Sequence, residues 1–167
     1  MSLAPITSPV ADEEMLLRTS YSPMHVNPKG RPRPACLKPI IKEPDEENPE
    51  KMNNRVSVTR LRYAGWSFCI EHALRHQTDK KTLHGFLRLL ASKVKAMGLW
   101  IQPKPVEDNP YHANMVYTEI DKRHGDELDD LETGQLQEKL RLLVESGEYF
   151  TADEALRIAE SQHRDAT

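Results

Sequence analysis

Residues 55–62, with the sequence RVSVTRLR, carry the clearest β-strand pattern of the chain. Branched residues alternate there with polar ones, two asparagines precede the run, and Gly65 follows it. Branched side chains favour a pleated, half-buried strand, and asparagine and glycine favour the turns that bound one. The pattern therefore predicts a strand whose arginines, Arg55, Arg60 and Arg62, lie on or near the solvent side.

The segments that follow this strand show apolar residues at helical spacing, three to four positions apart. The first group predicts one helix and consists of Trp66, Cys69, Ile70, Ala73 and Leu74. The second group predicts a helix that ends at Gly98 and consists of Leu83, Phe86, Leu87, Leu90, Val94 and Met97. Short strands are predicted at 99–102 and 113–120, so the order is a strand, two helices and two strands.

The two ends of the chain differ from this centre in composition. Nine of the twelve prolines lie in the first 49 residues. This predicts a mobile arm at 1–20 and a basic, loop-rich segment after it, with a turn at 27–30 and a short extended run at 37–41. In the acidic C-terminal segment, leucines at helical spacing predict a helix that ends near Ser146. A Thr-x-x-Glu capping box at 151–154 predicts the start of a last helix.

These patterns predict an α+β fold. A chain of 167 residues is long enough to bury one sizeable core. We expect a small mixed domain at 21–121, with about three to four short strands and two amphipathic helices. A flexible N-terminal arm at 1–20 precedes it, and an acidic helical tail at 122–167 follows it.

Charge is unevenly divided along the chain. Residues 1–106 carry 17 Lys and Arg against 10 Asp and Glu, whereas residues 107–167 carry 6 against 16. A basic surface attracts phosphates, and an acidic tail repels them or occupies the basic surface itself. We therefore expect nucleic acid or an acidic protein at the basic face, the alternative being a solvated loop without a ligand. The candidate phosphate contacts are Tyr21, Lys29, Arg31, Arg33, Arg55, Arg60 and Arg62.

The sequence argues against a membrane or secreted protein. Its longest apolar stretch, 83–101, is interrupted by Arg88, Lys93 and Lys95, so no membrane span is expected. The first eleven residues lack the basic and apolar regions of a secretory signal. Two cysteines are too few for a disulfide framework or a typical structural zinc site. We expect a cytoplasmic protein without a cofactor, a bound metal or a membrane partner.

The histidines offer two pairings with chemical potential. His25 and His112 each lie in a Pro/Asn loop next to a predicted strand, and two imidazoles brought together could act as general base and general acid in phosphodiester cleavage. The alternative is that both are structural loop residues. His72 and His76 are four residues apart on a predicted helix, which is a metal-ligand spacing. Ala73 stands where a zinc protease has its glutamate, so a helix-surface pair is the expected explanation.

Residues 143–159, LVESGEYFTADEALRIA, resemble the two-helix part of ParD-type antitoxins. The shared pattern is a helix that ends in Ser-Gly-x-Tyr, a short turn, and a second helix that begins with Ser or Thr. In that family a DNA-reading strand precedes the first helix, whereas residues 125–133 here are acidic and are not predicted to form a strand. The resemblance implies a helical tail that binds a protein partner, such as a toxin, and no DNA binding by this tail. The candidate partner contacts are Leu136, Leu140, Leu143, Tyr149 and Leu156.

Together, these observations favour a non-catalytic accessory or regulatory protein that binds a macromolecule in a prokaryotic toxin–antitoxin or phage-defence system. Its basic face would bind nucleic acid or an acidic partner, and its helical tail would bind a protein or a second copy. Two alternatives stay open. One is a small metal-independent nuclease or phosphotransfer enzyme that uses His25 and His112, and the other is a structural component of a larger assembly.

Overall fold

A six-stranded sheet forms the centre of the computed structural model, which describes residues 4–165. Its strands are β1 (Met15–Ser22), β2 (Arg55–Arg60), β3 (Thr82–Leu90), β4 (Trp100–Pro103), β5 (His112–Val116) and β6 (Glu148–Thr151). Their order across the sheet is β4, β5, β2, β1, β3, β6, and every neighbouring pair is antiparallel. The predicted α+β class is confirmed, with more strands than expected.

Helices cover both faces of this sheet. The α-helices of the described residues are α1 (Leu61–Arg75), α2 (Ala91–Ala96), α3 (Asp130–Ser146) and α4 (Ala152–Asp165). α1 and α4 pack on each other and on β1 and β3, whereas α3 packs with a 3-10 helix at Pro34–Leu37 against the opposite face. Within residues 4–165 no helix is both long and apolar enough to cross a membrane.

The central strands supply side chains to two cores, because successive residues of a strand point to opposite faces. Leu16 and Leu87 join the larger core, which lies under α3. Leu17 and Phe86 join the smaller core, which lies under α1 and α4. There Trp66 meets Phe86 edge-on, with 6.1 Å between the ring centroids. The sheet is therefore a buried middle layer.

Several predicted elements are confirmed. β2 covers residues 55–60 of the strand predicted at 55–62, while residues 61–62 begin α1, which contains the predicted first helix. β4 and β5 overlap the two later strands, and α3 ends at Ser146. In the capping box the Glu154 amide donates to the Thr151 hydroxyl at 3.2 Å. In the predicted turn the Gly30 amide donates to the Asn27 carbonyl at 2.9 Å, and Gly30 has the positive φ of 77° that glycine tolerates.

The prediction of a second long helix is wrong. Residues 82–90 form β3, and a helix of six residues, α2, follows. Phe86, Leu87 and Leu89 are all fully buried, so both faces of β3 are apolar and the alternation typical of a half-buried strand is absent. The extended run predicted at 37–41 is also wrong, because the 3-10 helix ends at Leu37 and no described strand covers this stretch.

The flexible arm predicted at 1–20 is wrong for residues 15–20, which belong to β1 in the interior of the sheet. β1 pairs along its whole length with β3, from Met15 opposite Leu90 to Ser22 opposite Thr82. Its sequence, MLLRTSYS, is short and half polar, and so it shows no clear period by itself.

The segment predicted as a separate tail at 122–167 is part of the same fold in its described residues. Leu136, Leu140 and Leu143 are buried in the larger core, and β6 extends the sheet beside β3. The apolar side of α3 is therefore buried against the protein's own core. This corrects the prediction that these three leucines contact a partner.

Arg60 corrects the prediction that the arginines of β2 face solvent. Its side chain is fully buried, and its guanidinium donates to both carboxylate oxygens of Glu14, at 2.9 and 2.8 Å. It also donates to the carbonyls of Ser8, at 2.7 Å, and of Pro9, at 3.2 Å. Arg60 thus holds the segment 8–14 against β2 by hydrogen bonds and is not available to a nucleic acid.

Candidate functional site

A cleft opens in the sheet where β1 and β2 separate. The two strands pair only at Leu16 opposite Arg60 and at Leu17 opposite Thr59. Beyond these residues β1 continues beside β3 and β2 continues beside β5, so the facing strand edges diverge. The cleft has a volume of about 460 Å³ and is lined by β1, β2, β5, α1 and two loops, at 38–46 and 106–109.

Arg18 spans the opening between the two strands. Its Nε donates to the Cys36 carbonyl at 2.8 Å, and its Nη1 donates to the Ser57 carbonyl at 3.1 Å. These carbonyls orient the guanidinium but do not neutralise it, and no carboxylate of the described residues forms an ion pair with it. Because a guanidinium has five N–H donors, several of them stay available to a ligand.

Two lysines line the same cleft. Lys38 is exposed on the loop after the 3-10 helix, and Lys81 lies just before β3. Neither has an ion-pair partner among the described residues. The Nζ of Lys81 lies 4.7 Å from the centroid of the Tyr21 ring, and the Tyr21 hydroxyl donates to the Ala73 carbonyl at 3.2 Å. Tyr21, predicted to stack on a base, is thus half-buried and engaged within the protein.

Three side chains with metal-ligand atoms also meet at the cleft. His72 and His76 lie one turn apart on α1, with 4.5 Å between their ring centroids. Asp108 comes from the loop before β5, and its Oδ2 lies 2.9 Å from Nε2 of His76 and 3.2 Å from Nε2 of His72. The ligand atoms of the three residues all lie within 4.8 Å of one another.

The surroundings of this cluster lower the pKa values of His72 and Asp108. Burial, followed by the neighbouring His76, lowers the pKa of His72 and favours the neutral imidazole. The hydrogen bond with His76 lowers the pKa of Asp108, so the carboxylate is ionised at neutral pH. Neutral imidazole and ionised carboxylate are the forms in which these side chains bind metals.

Neighbouring residues hold the cluster in position. The ring of Phe68 stacks on His72 with 5.8 Å between the centroids, and Tyr111 meets Phe68 edge-on at 5.0 Å. The loop that carries Asp108 is anchored by the buried Asn109. Its side chain donates to a threonine hydroxyl of β2 at 2.8 Å and accepts from the Tyr111 amide at 3.0 Å.

The predicted pair of catalytic histidines has a different environment. His112 lines the cleft, with its Nδ1 2.7 Å from the Lys104 carbonyl, but His25 is not among the described residues that line it. The Nδ1 of His25 accepts from the Tyr21 amide at 3.1 Å, and burial lowers the pKa of His25 to about 4. Burial also lowers the pKa of His112. These contacts favour the alternative that both histidines are structural.

The residues that line the cleft come from positions between 17 and 114, so no short motif contains them. No protein-family model, curated protein or solved structure matches this chain.

The other predicted phosphate contacts fall into two groups. Lys29, Arg31 and Arg33 are exposed on the loop after β1 and form no ion pair with any described residue. Arg55 and Arg62 are paired with carboxylates, with nitrogen–oxygen distances of 3.0 and 3.1 Å. The loop cations are therefore available to a ligand, whereas the charges of Arg55 and Arg62 are already neutralised.

The other two predicted partner contacts are Tyr149, which is partly buried against the larger core, and Leu156. The Tyr149 hydroxyl lies 3.0 Å from the Ser20 hydroxyl and 2.6 Å from Nδ1 of His84, so this side chain is part of an internal hydrogen-bond chain. Leu156 on α4 is 46% exposed. The surface that remains for a protein partner at these predicted positions is therefore small.

Sequence reasoning missed Arg18 and Asp108. Arg18 is the only charged residue within β1. Had a strand been predicted at this position, a single charge inside it would have indicated a candidate site residue. Asp108 lies in a Glu-Asp-Asn-Pro loop of ordinary turn composition. Its relation to His72 and His76 depends on how the loop packs against α1, and no local pattern records that contact.

Proposed function

We propose that the cleft between β1 and β2 binds phosphate groups of a nucleic acid. The observation that carries the proposal is a set of three cations, Arg18, Lys38 and Lys81, which line one cleft without a carboxylate partner among the described residues. Positive side chains that the protein does not neutralise are available to phosphate oxygens. Because two carbonyls already hold the Arg18 guanidinium, little side-chain freedom is lost when it binds.

A second group of exposed cations, outside the cleft lining, supports a polymer over a small phosphate compound. Lys29, Arg31 and Arg33 lie on the loop between β1 and the 3-10 helix and are exposed. A nucleic-acid strand carries a phosphate at every nucleotide, so separate groups of cations can neutralise different phosphates of one strand. Glu43 and Glu46 also line the cleft. Their negative charge disfavours phosphates nearby and restricts the strand to the basic residues.

The proposal concerns binding and includes no reaction at the predicted histidine pair. We also propose a cytoplasmic location, in which nucleic acid is accessible. A protein partner at the C-terminal helices is not part of the proposal, because three of the five leucine and tyrosine side chains expected to contact it are buried in the larger core.

Fluorescence anisotropy with labelled single-stranded and double-stranded DNA and RNA tests this proposal. The full chain is used, since residues beyond 121 belong to the fold. We expect binding at low salt. The logarithm of the association constant should fall linearly with the logarithm of the salt concentration. The double variant Lys38→Ala/Lys81→Ala is expected to reduce that slope by about 1.4–1.8, because each lost phosphate contact contributes about 0.7–0.9.

Lys93→Ala is the matched control for the double variant. Lys93 is exposed on α2, has no ion-pair partner among the described residues and does not line the cleft. Its substitution should leave the slope nearly unchanged. Absence of binding at low salt would refute the proposal. If Lys93→Ala reduces the slope as much as each lysine of the double variant does, the attraction is unspecific. That result would refute the cleft as the binding site.

A further inference from the structure

The cluster at the cleft has the dimensions of a metal site. Two ligand atoms held at about 2.0–2.1 Å from one ion lie about 2.9 Å apart at a right angle and about 3.4 Å apart at a tetrahedral angle. The Oδ2 of Asp108 lies 2.9 Å from Nε2 of His76 and 3.2 Å from Nε2 of His72. Both distances fall in this range, and the ligand atoms of all three residues lie within 4.8 Å of one another, so side-chain movements could bring them around one ion.

We propose that His72, His76 and Asp108 bind a divalent first-row transition metal, with zinc as the expected ion. Imidazole suits zinc and its neighbours in the first transition row, whereas magnesium and calcium prefer oxygen ligands. Two histidines four residues apart lie on one face of a helix and can share an ion, as α1 presents them here. Asp108 supplies the third ligand and a negative charge.

The ligands are held in place before any ion binds. The ring of Phe68 stacks on His72, and the hydrogen bonds of the buried Asn109 fix the loop that carries Asp108. Contacts of this kind around ligand residues orient them and raise metal affinity. The cluster is therefore supported both from the helix and from the loop.

The site is open on its cleft side. The side chains of His76 and Asp108 are 47% and 50% exposed, and all three ligands line the cleft. Three protein ligands leave at least one coordination position for water or for an oxygen of a bound ligand. The metal site does not depend on the nucleic-acid proposal, and its test contains no nucleic acid.

Isothermal titration calorimetry tests the proposal. Zinc chloride is titrated into the full-length protein, which carries no histidine tag. We expect one equivalent to bind, and cobalt(II) in place of zinc should give visible absorption bands of a protein-bound ion. His76→Ala and Asp108→Ala are each expected to weaken zinc binding at least about tenfold, since even indirect changes at metal sites cost this much. His163→Ala is the control, because it removes an exposed histidine from α4.

Three results would overturn the proposal. The first is no stoichiometric zinc binding to the wild-type protein, which would leave the cluster as a hydrogen-bonded pair of histidines and a carboxylate. The second is equal affinity in the wild-type, His76→Ala and Asp108→Ala proteins. The third is displacement of cobalt by excess magnesium, which would contradict the metal class. Circular dichroism of each variant verifies that it is folded.

Discussion

Replacing Glu14 with glutamine leaves the Arg60 guanidinium charged, buried and without its anion. In the wild-type protein the side chains of Arg60 and Glu14 are 0% and 1% exposed. The carboxylate accepts two hydrogen bonds from Arg60, at 2.9 and 2.8 Å, and one from the Ala11 amide at 2.7 Å. Removing one partner of such a pair costs about 3–5 kcal/mol, because the remaining charge stays desolvated.

The size of this loss can be translated into a shift of Tm. For a chain of this length about 1 kcal/mol corresponds to about 2–4 °C, so Glu14→Gln should lower Tm by roughly 10 °C. The double variant Glu14→Leu/Arg60→Met should recover part of the loss, because the desolvation cost disappears together with both charges. It should not recover all of it, since the carbonyls of Ser8 and Pro9 lose their donor.

Urea unfolding monitored by tryptophan fluorescence measures these differences in the free energy of unfolding. The matched control is Glu13→Gln, which breaks an exposed ion pair with Arg62 and should cost much less than Glu14→Gln, because solvent screens this pair. If Glu14→Gln costs no more than Glu13→Gln, the segment before β1 is not fastened to Arg60 and the reasoning fails.

The same pair predicts a pH dependence of stability. Burial alone would raise the pKa of Glu14, but the hydrogen bonds from Arg60 and the Ala11 amide lower it below its usual value. The contribution to stability is therefore fully present above the unfolded pKa of about 4.3 and is lost as pH falls through the lower folded value. Glu14→Gln should remove this part of the acid sensitivity.

Two further predictions concern the β3–β6 edge and His25. Gly85→Ala should lower the free energy of unfolding by about 1–3 kcal/mol, because its Cβ would lie 2.2 Å from the Phe150 carbonyl oxygen. The control Gly134→Ala, with nothing within 4 Å of its Cβ inside α3, should raise it by about 0.5–1 kcal/mol in the same urea titration, and equal signs would contradict the β3–β6 register. By NMR the His25 imidazole should titrate near pH 4; stability should fall as pH drops from the unfolded pKa of about 6.5 towards that value, and a midpoint near 6.5 would contradict its burial.

Local patterns predicted the elements that depend on neighbouring residues. The alternation predicted over 55–62 corresponds to β2 at 55–60, and the helical spacing from Trp66 to Leu74 lies within α1, because one face of each element is apolar. The contacts of Thr151 with Glu154 were predictable because they lie within one turn. β3 was mistaken for a helix because Phe86 and Leu87 are buried on opposite faces of the sheet, which removes the polar positions that reveal a strand.

The candidate site was less predictable because it depends on distant contacts. The proximity of His72 and His76 follows from helical spacing, but the approach of Asp108 follows from the packing of a loop 32 residues away. The cleft exists because, beyond Leu17, β1 pairs only with β3 and β2 pairs only with β5. Which strands pair is determined by the whole sheet, and no short stretch of sequence indicates it.

The interior position of β1 has a consequence for the order of events during synthesis. β1 ends at Ser22, whereas its full-length partner β3 ends at Leu90, 68 residues later. At about 5–20 residues per second the ribosome needs roughly 3–14 s to supply that partner. During this interval Leu16 and Leu17, buried on opposite faces of the finished sheet, belong to a strand without its β3 neighbour. Until the β3 strand has emerged, these two leucines therefore lack the strand that pairs with β1 along its whole length.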